Sequence, residues 1–130
     1  MTLALWCVLA AALLPYLAVT IAKAGGERYD NRDPRAWLDR QQGFRVRANN
    51  AQQNGFEAFP FFAAAVIVAH MLQAPQERVD ALAVIFVAAR VGHLVCYLAD
   101  WHWARSIAWL VGWLSCIFLF VSGASAVAAG

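Results

Sequence analysis

Arg90, His93 and Tyr97 recur by three and four within "ARVGHLVCYLADWHWARS", a spacing that sets side chains on one face of a helix. A second stripe, Arg47, Asn50, Asn54 and Glu57, follows by three, four and three. At about 100° per residue its members point within about 80° of one another. Both stripes run into apolar sequence. An arginine as deep as Arg90 is a functional-site hypothesis by default, and Glu57, set among Phe56, Phe59, Phe61 and Phe62, is the one embedded acid able to pair with it. Arg105–Ser106 opens the last apolar segment. The residue types suggest a ligand. Arginines hold carboxylates through charge-assisted, often bidentate bonds, Glu57 can take an ammonium group, and the amides of Gln53 and Asn54 can read peptide bonds. A guanidinium beside a thiol favours the reactive thiolate. A small zwitterionic peptide thiol meets all these demands, with an apolar co-substrate arriving from the bilayer. A purely structural Arg90–Glu57 clamp is compatible with the same residues.

The elements that must position these groups are membrane helices. Of the 130 residues, 62% are hydrophobic and 14% charged, against about 45–50% and about 25% in an ordinary soluble domain. Thr2–Ala22 carries no charge, and its 21 residues exceed the roughly 20 needed to cross a bilayer core. Residues 61–72, 79–99 and 106–130 supply three further apolar stretches, that at 79–99 interrupted by Arg90 and His93. The expected fold is an all-α integral membrane domain over residues 1–130, with helices near 2–23, 46–73, 78–99 and 104–128. Nothing basic precedes Lys23, and the first run is too long for a signal-peptide core, so that segment is expected to stay as a helix.

Seven of the ten basic residues, Lys23, Arg28, Arg32, Arg35, Arg40, Arg45 and Arg47, fall between the first two apolar segments. The positive-inside rule therefore predicts a cytoplasmic loop 24–46 and turn 100–105, with both termini on the opposite side. In a bacterial cell the membrane would be the inner one. Trp101, Trp103 and Trp109 cluster near that turn as an interfacial belt would. Nucleic acid is a poor partner for the basic loop, because Glu27, Asp30, Asp33 and Asp39 are interleaved with the arginines. Cys7, Cys96 and Cys116 lack disulfide or zinc spacing, and His70, Asp100 and His102 have no ligand partners at useful spacing, so no metal is expected. A transporter is disfavoured, since no paired broken helices are present.

Two motifs carry a resemblance that covers essentially the whole chain. "NGFEAFPFF", residues 54–62, resembles the Asn-x-x-Glu followed by proline and phenylalanine on the second helix of the MAPEG family, the membrane-associated proteins in eicosanoid and glutathione metabolism. "RVGHLVCY", residues 90–97, followed by Arg105–Ser106, is similar to the matching segment in its prostaglandin E synthase branch; glutathione transferases form another branch. The resemblance implies a homotrimer of four-helix subunits, with glutathione as co-substrate between neighbours near the cytoplasmic side. Asn54, Glu57, His93, Tyr97, Arg105 and Ser106 would contact it. Arg105 would stabilise the thiolate, Ser106 would donate a hydrogen bond to it, and Arg90 would brace the polar network with Glu57. The sequence departs from the family pattern at Asn50, where many catalytic relatives carry arginine, at Lys23, the only basic counterpart at the end of the first helix, and at Trp109, where the prostaglandin branch has tyrosine.

The expected activity is a glutathione-dependent transferase or peroxidase acting on hydrophobic electrophiles. Arg105 and Ser106 would be catalytic, and Arg47, Gln53, Asn54, Glu57, His93, Tyr97 and Arg105 would bind glutathione, with Arg47 standing in for the arginine absent at Asn50. The alternative is a non-catalytic scaffold or lipid-binding protein of the same fold. Asn50 favours the scaffold and Arg105–Ser106 the enzyme. Membrane lipid is a partner in either case.

Overall fold

A computed structural model describes residues 1–25 and 27–129. Five helices follow in order: α1 (Leu3–Lys23), α2 (Pro34–Asp39), α3 (Phe44–Met71), α4 (Gln76–Leu98) and α5 (His102–Ala129). All but α2 are long and apolar enough to cross a membrane. The chain is an integral, multi-pass membrane bundle.

Hydrogen bonds at both ends fix the directions of the helices. The Ala4 amide donates to Asp80 Oδ1 at 2.7 Å, and Thr2 Oγ1 meets His70 Nε2 at 3.0 Å. The start of α1 thus lies beside the start of α4 and the end of α3. At the other end Arg47, in the first turn of α3, bonds the last carbonyls of α4. Leu72, just past α3, touches Gly123 near the end of α5. Accordingly α1 and α4 run one way, α3 and α5 the other, as short connections between neighbours favour.

Local sequence explains the boundaries. Thr2 caps α1, its hydroxyl accepting from the Leu5 amide. Asp33 caps α2 by accepting from Ala36 N, and Pro34 sits in the first turn, where its missing N–H costs nothing. This six-residue helix lies in the basic loop, where no element was expected. It is held by Trp37, which is fully buried, donates to the Arg28 carbonyl and packs edge-on against Tyr29. The turn before α5 passes through Asp100 at φ 60°, a conformation that aspartate tolerates better than most residues.

Small residues let the helices approach closely. The buried face of α1 is Ala4, Cys7, Ala11, Pro15, Ala18 and Ala22. Opposite Pro15, α3 presents Gly55, where an added Cβ would come within 2.9 Å of the proline ring. Membrane bundles depend on such contacts, because lipid supplies no hydrophobic drive for helix association. The core is centred on Phe62 of α3, whose ring stacks on Phe86 of α4 at 3.8 Å, with Val66, Val79 and Leu119 around it. Large apolar side chains such as Trp6, Leu13, Ile67, Val95 and Phe118 point outward, as a lipid-facing surface requires.

At 28 residues, α3 is about 42 Å long at 1.5 Å per residue, against a hydrocarbon core of about 30 Å. Its amide-rich first turns therefore extend past the apolar slab at the end that carries the basic loop. That length reconciles the polar run of residues 45–54 with the phenylalanines after it.

Candidate functional site

The α4 stripe is preserved in space. His93 and Tyr97 meet edge to face at 5.1 Å, and the Arg105 guanidinium of α5 lies 4.3 Å over the Tyr97 ring. The three form a row running toward the end that carries the basic loop. Arg90, one turn deeper, is 7% exposed and His93 3%. Gly112 of α5 faces Arg90 and Phe86, where a Cβ would stand in ordinary contact, 3.8 Å from Arg90 Cδ and 3.7 Å from Phe86.

The partner of Arg90 differs from the one expected. Its Nη2 donates to Asn54 Oδ1 at 2.8 Å, and among the described residues of this subunit it forms no ion pair with Glu57. The reason is rotational. Asn54 is three residues before Glu57 and points into the α3–α4 contact, whereas the Glu57 side chain is exposed on the groove side. A neutral amide suits a desolvated guanidinium here, since its oxygen accepts the hydrogen bond without burying a second charge.

Arg47 also has a role that its spacing did not reveal. Its Nε donates to the Tyr97 carbonyl at 3.0 Å and its Nη2 to the Leu98 carbonyl at 3.2 Å. It caps the C-terminus of α4, where unpaired carbonyls and the helix dipole favour a cation. Gln53 and Asn50 are exposed on α3. Ser106 is exposed as well, and its hydroxyl donates to the His102 carbonyl at 3.1 Å. Within the chain the structure gathers Arg47, His93, Tyr97 and Arg105 at one end and Asn54 with Arg90 deeper. Gln53 and Ser106 stand apart from both groups.

Between α3, α4 and α5 lies a groove of about 260 Å³ lined by Asn54, Glu57, Ala58, Phe61, Phe86, Arg90, Trp109, Gly112, Trp113 and Cys116. Two polar side chains and a carboxylate sit on otherwise apolar walls, the usual make-up of a small-molecule site. Trp109 and Trp113 stack at 6.4 Å along one wall. Sequence reasoning missed Trp113, Gly112 and Phe61 as site residues, although the i, i+4 spacing of Trp109 and Trp113 was a usable signal.

The architecture and site define a class: a four-helix membrane bundle whose middle helices carry a buried polar seam beside an apolar groove. The MAPEG family model matches residues 3–125, nearly the whole chain, and the protein belongs to the MAPEG family. No curated protein and no solved structure matches it. The family includes glutathione-dependent transferases and peroxidases and also non-catalytic members.

Proposed function

We propose that the protein is a glutathione-dependent transferase or peroxidase acting on hydrophobic electrophiles that enter from the bilayer. The observation that carries this reading is Arg105 held over Tyr97 beside His93. A cation fixed by an aromatic face at the mouth of a polar seam is suited to stabilising a developing thiolate. Glutathione is the substrate whose chemistry fits. Its carboxylates suit Arg105, its amide bonds suit Gln53 and Asn54, and its ammonium suits the exposed carboxylate of Glu57. Ser106 would reach the sulfur by turning its hydroxyl from the His102 carbonyl. In the transferase reaction the thiolate attacks the electrophile, a carbon–sulfur bond forms, and the leaving group departs with the displaced electron pair. Arg105 supplies the electrostatic stabilisation.

A groove of about 260 Å³ is small beside ligand pockets of about 300–1,000 Å³. One subunit holds part of the reacting pair, and a neighbouring copy in a homotrimer would complete the wall. The site would open on the cytoplasmic side, where seven basic residues place the long loop.

The alternative, a lipid-binding scaffold, rests on Arg47. Two of its five N–H donors go to α4 carbonyls, which ties the guanidinium to the end of α4 and draws it from the place of the arginine missing at Asn50. Calorimetric titration of the purified protein with glutathione, followed by an assay with a generic aryl halide, separates the two. Heat of binding with conjugate formation supports the enzyme. Lipid retention with neither supports the scaffold.

A further inference from the structure

A second, much smaller cavity lies between α1, α3 and α4. Its volume is about 20 Å³, and Ala11, Pro15, Ala18, Gly55, Arg90 and His93 are among its walls. A water molecule needs about 10–15 Å³ by this measure, with two to four polar partners. The volume fits one water and excludes a larger ligand.

Three residues of its wall carry polar groups that could serve a water. Pro15 has no N–H, so the carbonyl of Ala11, four residues back, loses its helical donor. His93 is 3% exposed, and among the described residues no hydrogen bond reaches its ring. Its ring nitrogens are therefore open to a water partner. Arg90 gives Nη2 to Asn54 and keeps other N–H groups, a guanidinium having five.

We propose that this cavity is a binding site for a single water that joins the proline bend of α1 to the polar seam of α4. The water donates one hydrogen to the Ala11 carbonyl and accepts one from Arg90. Its second hydrogen goes to the ring nitrogen of His93 on the cavity side. That nitrogen is then the acceptor, so the ring proton sits on the other one. The water therefore fixes the His93 tautomer and leaves an N–H donor directed away from the bend. This holds whether or not the chain binds a thiol, since the partners all belong to one subunit.

The test is magic-angle-spinning NMR of the full chain in lipid bilayers, with ¹⁵N-labelled histidine and His93 assigned by its loss in His93→Gln. In the wild type, the His93 ring should receive magnetisation from water and show one tautomer. His102, exposed at the turn, serves as the bulk-water control. Ala18→Val puts methyl groups into the cavity and should abolish most of the His93 transfer while sparing that of His102. Pro15→Ala, which restores the donor to Ala11, should weaken the transfer and mix the tautomers, and it covers the case in which the valine variant fails to fold. A His93 ring with no water transfer in the wild type overturns the proposal. So does transfer unchanged in Pro15→Ala.

Discussion

The Arg105 guanidinium lies 4.3 Å from the centre of the Tyr97 ring, one residue type fixing the other across the α4–α5 turn. If that cation activates a thiol, Arg105→Ala should lower turnover by about 100-fold, the scale seen when one transition-state donor is removed. The apparent pKa of bound glutathione should rise, because the neighbouring positive charge favours the thiolate. Arg105→Lys should recover part of the rate, since a flexible point charge cannot copy the planar fork. Thiolate absorbance against pH is the measurement. Bound glutathione with no thiolate signal between about pH 6 and 9 would leave the scaffold as the better account.

Arg47 makes a separate prediction. Because it bonds the Tyr97 and Leu98 carbonyls, Arg47→Ala should destabilise the bundle by about 1.5–3 kcal/mol, the range for hydrogen bonds to charged groups. Thermal unfolding in detergent should show the loss. Weakened glutathione binding with unchanged melting would instead assign Arg47 to the ligand.

The hydrogen bond from Arg90 to Asn54 predicts that these two residues are coupled. A double-mutant cycle of Arg90→Met and Asn54→Ala should give an interaction of about 1 kcal/mol or more. The same cycle with Glu57→Gln should give far less. A larger Glu57 coupling would restore the ion pair that spacing alone suggested.

Gly55 tests the close α1–α3 contact. Gly55→Ala places a methyl 2.9 Å from the Pro15 ring and should cost about 1–3 kcal/mol, as overpacking does. Pro15→Ala in the same chain should relieve most of that loss, read by unfolding in detergent. An additive double mutant would mean the two residues do not touch.

Orientation is checked by reporter fusions. A reporter after Arg40 or Asp100 should read as cytoplasmic and one after Gln76 as external, driven by the basic loop. A cytoplasmic signal at Gln76 would move the site to the other face.

Periodicity and apolar length were enough to reveal the membrane helices, because burial in lipid leaves long uncharged runs. The α2 helix carries its own signal in "DP", residues 33–34, an N-cap followed by proline, but at six residues it is too short to show an apolar period. The grouping of His93, Tyr97 and Arg105 followed from spacing across a short turn. What spacing could not decide was which partner each long side chain takes. Asn54 and Glu57 differ by about 60° around α3 at 100° per residue, and that rotation alone gives Arg90 to the amide. Arg47 reaches the end of another helix 50 residues away, a contact no local pattern encodes.

The bond from Ala4 to Asp80 spans 76 residues, so it cannot form until α4 has been made. The start of α1 borrows its acidic cap from α4, and the same Asp80 oxygen also takes the Gln76 amide. During synthesis, α1 and α3 can pair as a hairpin while that end of α1 still lacks its final acceptor. The Thr2–His70 contact needs only α1 and α3, and Asp80 adds the second tie once residue 80 has been made and inserted. The first helix made is thus fastened in two stages, and a chain cut short before α4 would keep the Thr2 cap and the Thr2–His70 contact while the Ala4 amide waits for its acceptor.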